Sequence, residues 1–304
     1  MQLGFVSAIL ADQPLDEVLR FAAGEGFDCV EVLCWPPGGP DRKYGGVTHL
    51  DVSAFTQAMA DETRALIDKH GVTFSALGYY SIPLSADEEQ AAAAIAHLHK
   101  VIDAAAMLGL SGVNSFVGAN QYLSMDHNFA KFLEVWPPIV KHAEERGVRI
   151  GIENCPMLYA KTWPFGLNLA HSPKVWRRMF EAIPSLNFGL NYDPSHLRMQ
   201  LMDPVAPIRE FGSRIFHTHA KDMRIDPHRL DDVGSLAPPM DRGTAKLPGL
   251  GDIDWGAWIG ALGDAGYKGP VCIEVEDEAY TDSLAERQRS LRISRNVLRP
   301  LISN

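Results

Sequence analysis

What this 304-residue chain lacks narrows its function before anything it contains does. It has four cysteines, Cys29, Cys34, Cys155 and Cys272, and no CxxC spacing among them, which removes zinc-ribbon and dithiol redox motifs. Each sits in an apolar, strand-like run, as free buried thiols do in a reducing compartment, so a cytoplasmic location is expected. Positive charge is scarce as well: 28 Lys and Arg against 38 Asp and Glu leave a formal net charge of −10. Without a long basic run, no nucleic-acid partner is expected, because phosphate binding is driven by Lys and Arg neutralisation. The opening MQLGFVSAIL shows neither a basic segment nor a small-residue cleavage site. No apolar run is expected to reach the roughly 20 residues of a membrane span, so no membrane partner is expected either. No GxGxxG follows the first strand-like run, so the dinucleotide fingerprint is missing, and no Gly-rich phosphate cradle is evident.

What is present is an alternation. Short β-branched or apolar runs occupy 3–7, 29–34, 73–80, 111–118, 148–154, 187–194, 214–222 and 269–277, each bounded by Gly, Pro or Asn/Asp. Between them lie segments of helical period. One ends at Gly71 and another at Gly109, with Ser85 as the expected N-cap of the latter, while Pro137 is expected to kink or break a fourth. Eight such β and α units predict an α/β fold, a parallel (β/α)8 TIM barrel built as one domain over 1–304, with a doubly wound sheet as the alternative. The stretch 223–253 has no clear period and follows the seventh strand, which marks it as a candidate lid.

In such a barrel the chemistry sits at the C-terminal ends of the strands. The fifth strand, in RIGIENCPM, ends in Glu153; the sixth delivers Asp193, the seventh His219 and the eighth Glu274. Neighbouring strands lie about 4.8 Å apart, so four adjacent ends can meet at one point. Three carboxylates and an imidazole brought together need a cation, and the oxygen-rich set suits Mn2+, Mg2+ or Co2+ better than a closed zinc site. Any one of these acids alone would read as a loop cap or a surface charge; their coincidence carries the expectation. His217 reads as a satisfied core residue, and Lys221, on the same face as His219, would meet either a substrate oxygen or a carboxylate neighbour. Glu31 would bind a hydroxyl inside the barrel or pair with a local Lys or Arg. Trp35, Tyr79, Tyr80, Phe116, Tyr159 and Trp163 would line a pocket mouth or simply pack.

IEN at Glu153, DPSH at Asp193 and His196, HAKD at His219 and IEVE at Glu274, in that order along the chain, resemble the xylose-isomerase-like TIM-barrel superfamily of sugar phosphate isomerases and epimerases. The resemblance implies that Glu153, Asp193, His219 and Glu274 hold a divalent metal, Mn2+ first. It implies that Glu153 and Glu274 pass a proton off and back onto a hydroxy-ketone through an enediolate. His196 would then face the substrate or a metal-held water, and Lys221, Arg224, Arg242, Tyr159 and Trp163 would contact a small carbohydrate. The branch of free-ketose 3-epimerases carries a second Glu and an Arg where this chain has Tyr159 and Ile225. Relatives sharing LPGLGDIDW include enzymes of β-elimination on 3-keto-glycosides, which gives the alternative activity of a lyase or deglycosidase. Abasic-site endonucleases of the same superfamily need extra histidines where Tyr79, Tyr80, Asn114 and Ser115 stand. A non-catalytic binding subunit is the remaining alternative, and a homo-oligomer or hetero-complex is an expectation of the family.

Overall fold

A computed structural model of the chain describes residues 1–38, 46–158 and 166–302. The barrel strands are β1 (Gln2–Val6), β2 (Cys29–Leu33), β3 (Thr73–Gly78), β4 (Gly112–Ser115), β5 (Arg149–Glu153), β6 (Phe188–Tyr192), β7 (Ile215–Ala220) and β10 (Pro270–Ile273). They close in the order β1-β10-β7-β6-β5-β4-β3-β2, and every neighbouring pair is parallel. The result is a single-domain (β/α)8 barrel. All eight strand-like runs of the sequence are staves of it. Their near-continuous burial follows from parallel pairing, which buries one face in the barrel and the other under helices. Phe5, Val30, Ile150, Ile152, Leu190 and Ile273 are fully buried.

The helices are α1 (Leu15–Gly24), α2 (Gln57–His70), α3 (Glu88–Leu108), α4 (Met125–Glu145), α5 (Pro173–Ala182), α6 (Ser195–Met199), α7 (Ala206–Phe211), α8 (Pro227–Val233), α9 (Pro239–Arg242), α10 (Trp255–Asp264) and α11 (Leu284–Leu298). Gly71 and Gly109 close α2 and α3 in the left-handed region, φ 66° and 74°, as their positions in the sequence require. Three expectations are corrected. The N-cap of α3 is Asp87, whose Oδ1 accepts from Glu89 N and Gln90 N at 3.0 Å each. Ser85 Oγ only receives the Asp87 amide at 3.2 Å. Pro137 does not break α4, which runs through Pro137 and Pro138. Both prolines lie on its exposed face, where the carbonyls they leave free, on Leu133 and Glu134, face water. Helix α3 has 21 residues, and an 18-residue stretch of it with mean hydropathy 1.3 is by length and composition long and apolar enough to cross a membrane, although no apolar run of that length was expected. In the barrel it lays Leu98, Val101, Ile102 and Ala105 against the core.

The corrected cap gives a test. Asp87→Ala is expected to cost about 1 kcal/mol, a fall in Tm of about 2–4 °C, and Ser85→Ala distinctly less, as read by thermal melting.

The stretch expected to lack period is an ordered arm. The seventh strand stops at Ala220 and not at Asp222. Beyond it β8 (Asp222–Ile225) pairs antiparallel with β9 (Gly243–Lys246), with α8 and α9 between them. The buried carboxylate of Asp222 roots the arm, accepting from Met223 N at 2.8 Å, Gly249 N at 3.0 Å, Ile253 N at 3.1 Å and Trp255 Nε1 at 2.9 Å.

Candidate active site

At the C-terminal mouth two asparagines fix the ligand-type residues. Asn154, between Glu153 and Cys155, donates Nδ2 to Asp193 O and accepts from Asp193 N, both at 2.8 Å, tying the end of β5 to the residue that follows β6. Asn168 Nδ2 donates to Glu153 O at 2.9 Å and to Cys155 O at 2.8 Å. Side chains alternate along extended backbone, so Glu153 and Cys155 turn into the mouth while Asn154 braces it.

The Glu153 carboxylate meets histidine. His196, in α6, lies with Nε2 3.0 Å from Glu153 Oε1 and 3.3 Å from Asp193 Oδ2. His219 Nδ1 lies 3.7 Å from Glu153 Oε1 and 3.4 Å from Glu274 Oε2. Lys221 meets carboxylates: its Nζ is 2.6 Å from Glu274 Oε2 and 3.2 Å from both Asp193 Oδ2 and Glu276 Oε2. Burial would raise Glu153 and Glu274, and the second charge opposes the first; His196 and His219 hold Glu153 below the usual carboxylate range, and Lys221 and His219 do the same for Glu274. Lys221 is raised well above its ordinary value against burial by Glu274, Glu276 and Asp193. Both glutamates are thus ionised at neutral pH.

Glu153, Asp193, His196 and Glu274 each offer a ligand atom within 4.8 Å of the others. His219 stands beside two of them. Ion pairs aside, Asp193 Oδ2 and His219 Nδ1 are buried and make no hydrogen bond among the described residues. Their neighbours are the charged groups of the mouth itself, Lys221 and His196 for Asp193 and the carboxylates of Glu153 and Glu274 for His219, and an oxygen-rich set with an imidazole fits a divalent cation.

Behind His219 lies a network that the strand ends alone did not disclose. Glu31, fully buried, pairs through Oε2 with His219 Nε2 at 2.7 Å and lies 3.7 Å from His217 Nε2; Tyr80 donates its hydroxyl to Oε1. The partner of Glu31 is thus a histidine and not the Lys or Arg expected, and Gly78 makes the room, since a Cβ there would stand 2.6 Å from Glu31 Oε1. His217 is the satisfied core residue expected, with Nδ1 3.0 Å from Asn191 Oδ1 and Nε2 3.0 Å from Ser75 Oγ. Glu276 and Cys155 were also missed. Each stands two residues after a recognised glutamate, so period-two alternation was the available signal.

A cavity of about 660 Å3 opens above these groups. Trp35, Tyr80, Phe116, Met157 and Lys221 line it, and the arm adds Met223, Arg229 and Thr244. Tyr79 packs instead, edge to face with Trp35 and His97 at 5.0 and 4.6 Å. Two arginines expected at the substrate are corrected. Alternation in β8 turns Met223 and Ile225 inward and leaves Arg224 exposed. Arg242 is buried and gives its guanidinium to the carbonyls of Ala237 and Met199. Tyr159 and Trp163 lie outside the described residues.

Residues 19–301 match the profile described as xylose isomerase-like TIM barrel. The uncharacterized protein YfiH of Bacillus subtilis (strain 168) is 27% identical over 91% of this chain and 93% of its own length. An inosose dehydratase of Clostridium tetani (strain Massachusetts / E88) is 26% identical over 48% of either chain. Among solved structures, the D-psicose 3-epimerase of Clostridium cellulolyticum H10 with D-tagatose superposes with a TM-score of 0.71 over the whole of both chains, at 16% identity, a likeness of fold.

Proposed function

Because the chain belongs to the xylose isomerase-like TIM barrel family, we propose that it is a divalent-metal-dependent isomerase or epimerase of a sugar or related hydroxy-ketone. The observation that carries this reading is the convergence of Glu153, Asp193, His196 and Glu274 within 4.8 Å of one another beside an open cavity, with His219 Nδ1 3.7 Å from Glu153 and 3.4 Å from Glu274. Glu153, Asp193, His219 and Glu274 would hold the cation, Mn2+ by preference, with His196 close enough to join them. Such a cation stabilises the negative charge that develops on the two oxygens beside the carbon losing its proton. Glu153 and Glu274, both ionised, would stand on either side of that carbon, one removing the proton and the other returning it. His196 would hold the Glu153 carboxylate in place, and Lys221 would orient Glu274 and reach a substrate oxygen. Four buried free thiols suit a cytoplasmic setting.

A second reading, β-elimination from a keto-sugar or a 3-keto-glycoside, uses the same proton abstraction and differs in the group that leaves next. It is favoured by the partial match to inosose dehydratase and by the buried, apolar Ile225.

The test is proton NMR in D2O with Mn2+ and a panel of ketoses, inosose-type ketones and 3-keto-glycosides. Deuterium is expected to enter beside the carbonyl of one class and to stop entering when a chelator is added. Retention of the carbon skeleton and its substituents identifies isomerisation or epimerisation; release of water or an aglycone identifies elimination. Absence of exchange across the panel, in protein that binds no metal, sinks both.

A further inference from the structure

Cys155 is a thiol that the proton chemistry above does not use, yet it lies on the cavity wall. Glu153, Cys155 and His196 each present a ligand atom within 4.8 Å of the others, and all three are buried. This group shares Glu153 and His196 with the oxygen-rich set but replaces Asp193 and Glu274 by sulfur. Two independent features make it more than a stray thiol. His196, 1% exposed, turns Nε2 to Glu153 and Asp193, while its buried Nδ1 makes no hydrogen bond of ordinary geometry among the described residues, and Cys155 is its neighbour in charge. Asn168 Nδ2 bonds the carbonyls of Glu153 and Cys155 together, at 2.9 and 2.8 Å, so the two ligand-bearing residues are held at a fixed spacing.

We propose that Glu153, Cys155 and His196 form a second, thiophilic metal position that overlaps the oxygen-rich one, so that the two cannot be filled together. It rests on the reading of the mouth as a metal centre. Hard ions of the Mn2+ and Mg2+ type are served by carboxylates, whereas Zn2+ and Co2+ accept thiolate and imidazole. On binding, a metal–sulfur bond replaces the S–H bond of Cys155 and the proton goes to the buffer; no oxidant or reductant takes part. An ion held by Glu153, Cys155 and His196 would occupy two side chains of the oxygen-rich cluster. Zn2+ would thus displace the hard ion and silence proton transfer without leaving the mouth.

The experiment uses the full chain freed of metal, with Co2+ as the spectroscopic stand-in for Zn2+ and Mn2+ binding followed by electron paramagnetic resonance. Wild type is expected to give a near-ultraviolet sulfur-to-cobalt charge-transfer band. Cys155→Ser and Cys155→Ala are expected to lose that band and to bind Zn2+ about tenfold more weakly, with Mn2+ affinity within about twofold of wild type. A wild type that binds Mn2+ but shows no band overturns the thiophilic position alone. Equal weakening of Mn2+ and Zn2+ in both variants also overturns it, since Cys155 would then act on the shared architecture. A wild type that binds neither ion overturns the metal reading beneath it.

Discussion

Glu153→Gln and Glu274→Gln are each expected to reduce the exchange of substrate hydrogen with D2O by about 10²–10⁴-fold at saturating Mn2+, the range lost with a positioned general acid or base. The amide keeps the shape of the side chain and removes its basicity. The effect differs between the two positions for a structural reason. Glu153 is buried at 3% exposure and held by His196 at 3.0 Å, so its amide leaves His196 without an anionic partner. Glu274 is held by Lys221 at 2.6 Å, and its amide leaves Lys221 to Asp193 and Glu276. Both residues also belong to the proposed ligand set, so the variants are compared at metal concentrations that saturate each, with Mn2+ binding measured separately. Exchange at the wild-type rate in either variant removes that glutamate from proton transfer and leaves it as a ligand only.

The second large effect comes from a residue that touches neither substrate nor metal. Glu31→Gln is expected to weaken Mn2+ binding about 10–100-fold, the usual cost of losing the carboxylate behind a metal-binding histidine. Glu31 Oε2 lies 2.7 Å from His219 Nε2, which leaves Nδ1 as the nitrogen facing Glu153 and Glu274. The carboxylate fixes the ring and the tautomer and makes the free nitrogen a better donor. A structural role alone would change melting; a positioning role changes the Mn2+ titration and leaves the exchange rate near wild type once the metal is saturating. Calorimetric titration together with exchange at high Mn2+ separates them, and an unchanged Mn2+ affinity ends the positioning role.

The barrel was legible because its signal is periodic and repeated. Eight apolar runs with turn residues at each end leave little freedom once βαβ handedness is imposed. Glu153, Asp193, His219 and Glu274 were legible for a related reason, since each is a polar residue at the end of an apolar run. The arm was not, because β8 and β9 are four residues each and their pairing depends on Asp222 reaching the amides of Gly249 and Ile253, a contact across about 30 positions that no local pattern announces. Arg224 and Arg242 were placed by their charge, whereas a strand's alternation and a pair of carbonyls decided where they point. The role of Glu31 was open for the opposite reason: a lone acid in an apolar strand reads the same whether its partner is a sugar or an imidazole 188 positions away.

Asp222 directly follows Lys221, so the root of the arm and the cation of the mouth are set by adjacent residues. The arm reaches the cavity through Met223, Arg229, Met240 and Thr244, which all lie beyond that root. It is therefore a rooted faceplate: exchanging its outer residues would alter the wall of the cavity while the groups proposed to move the proton, which stand on the barrel, keep their register, which gives evolution or an engineer a place to retune selectivity.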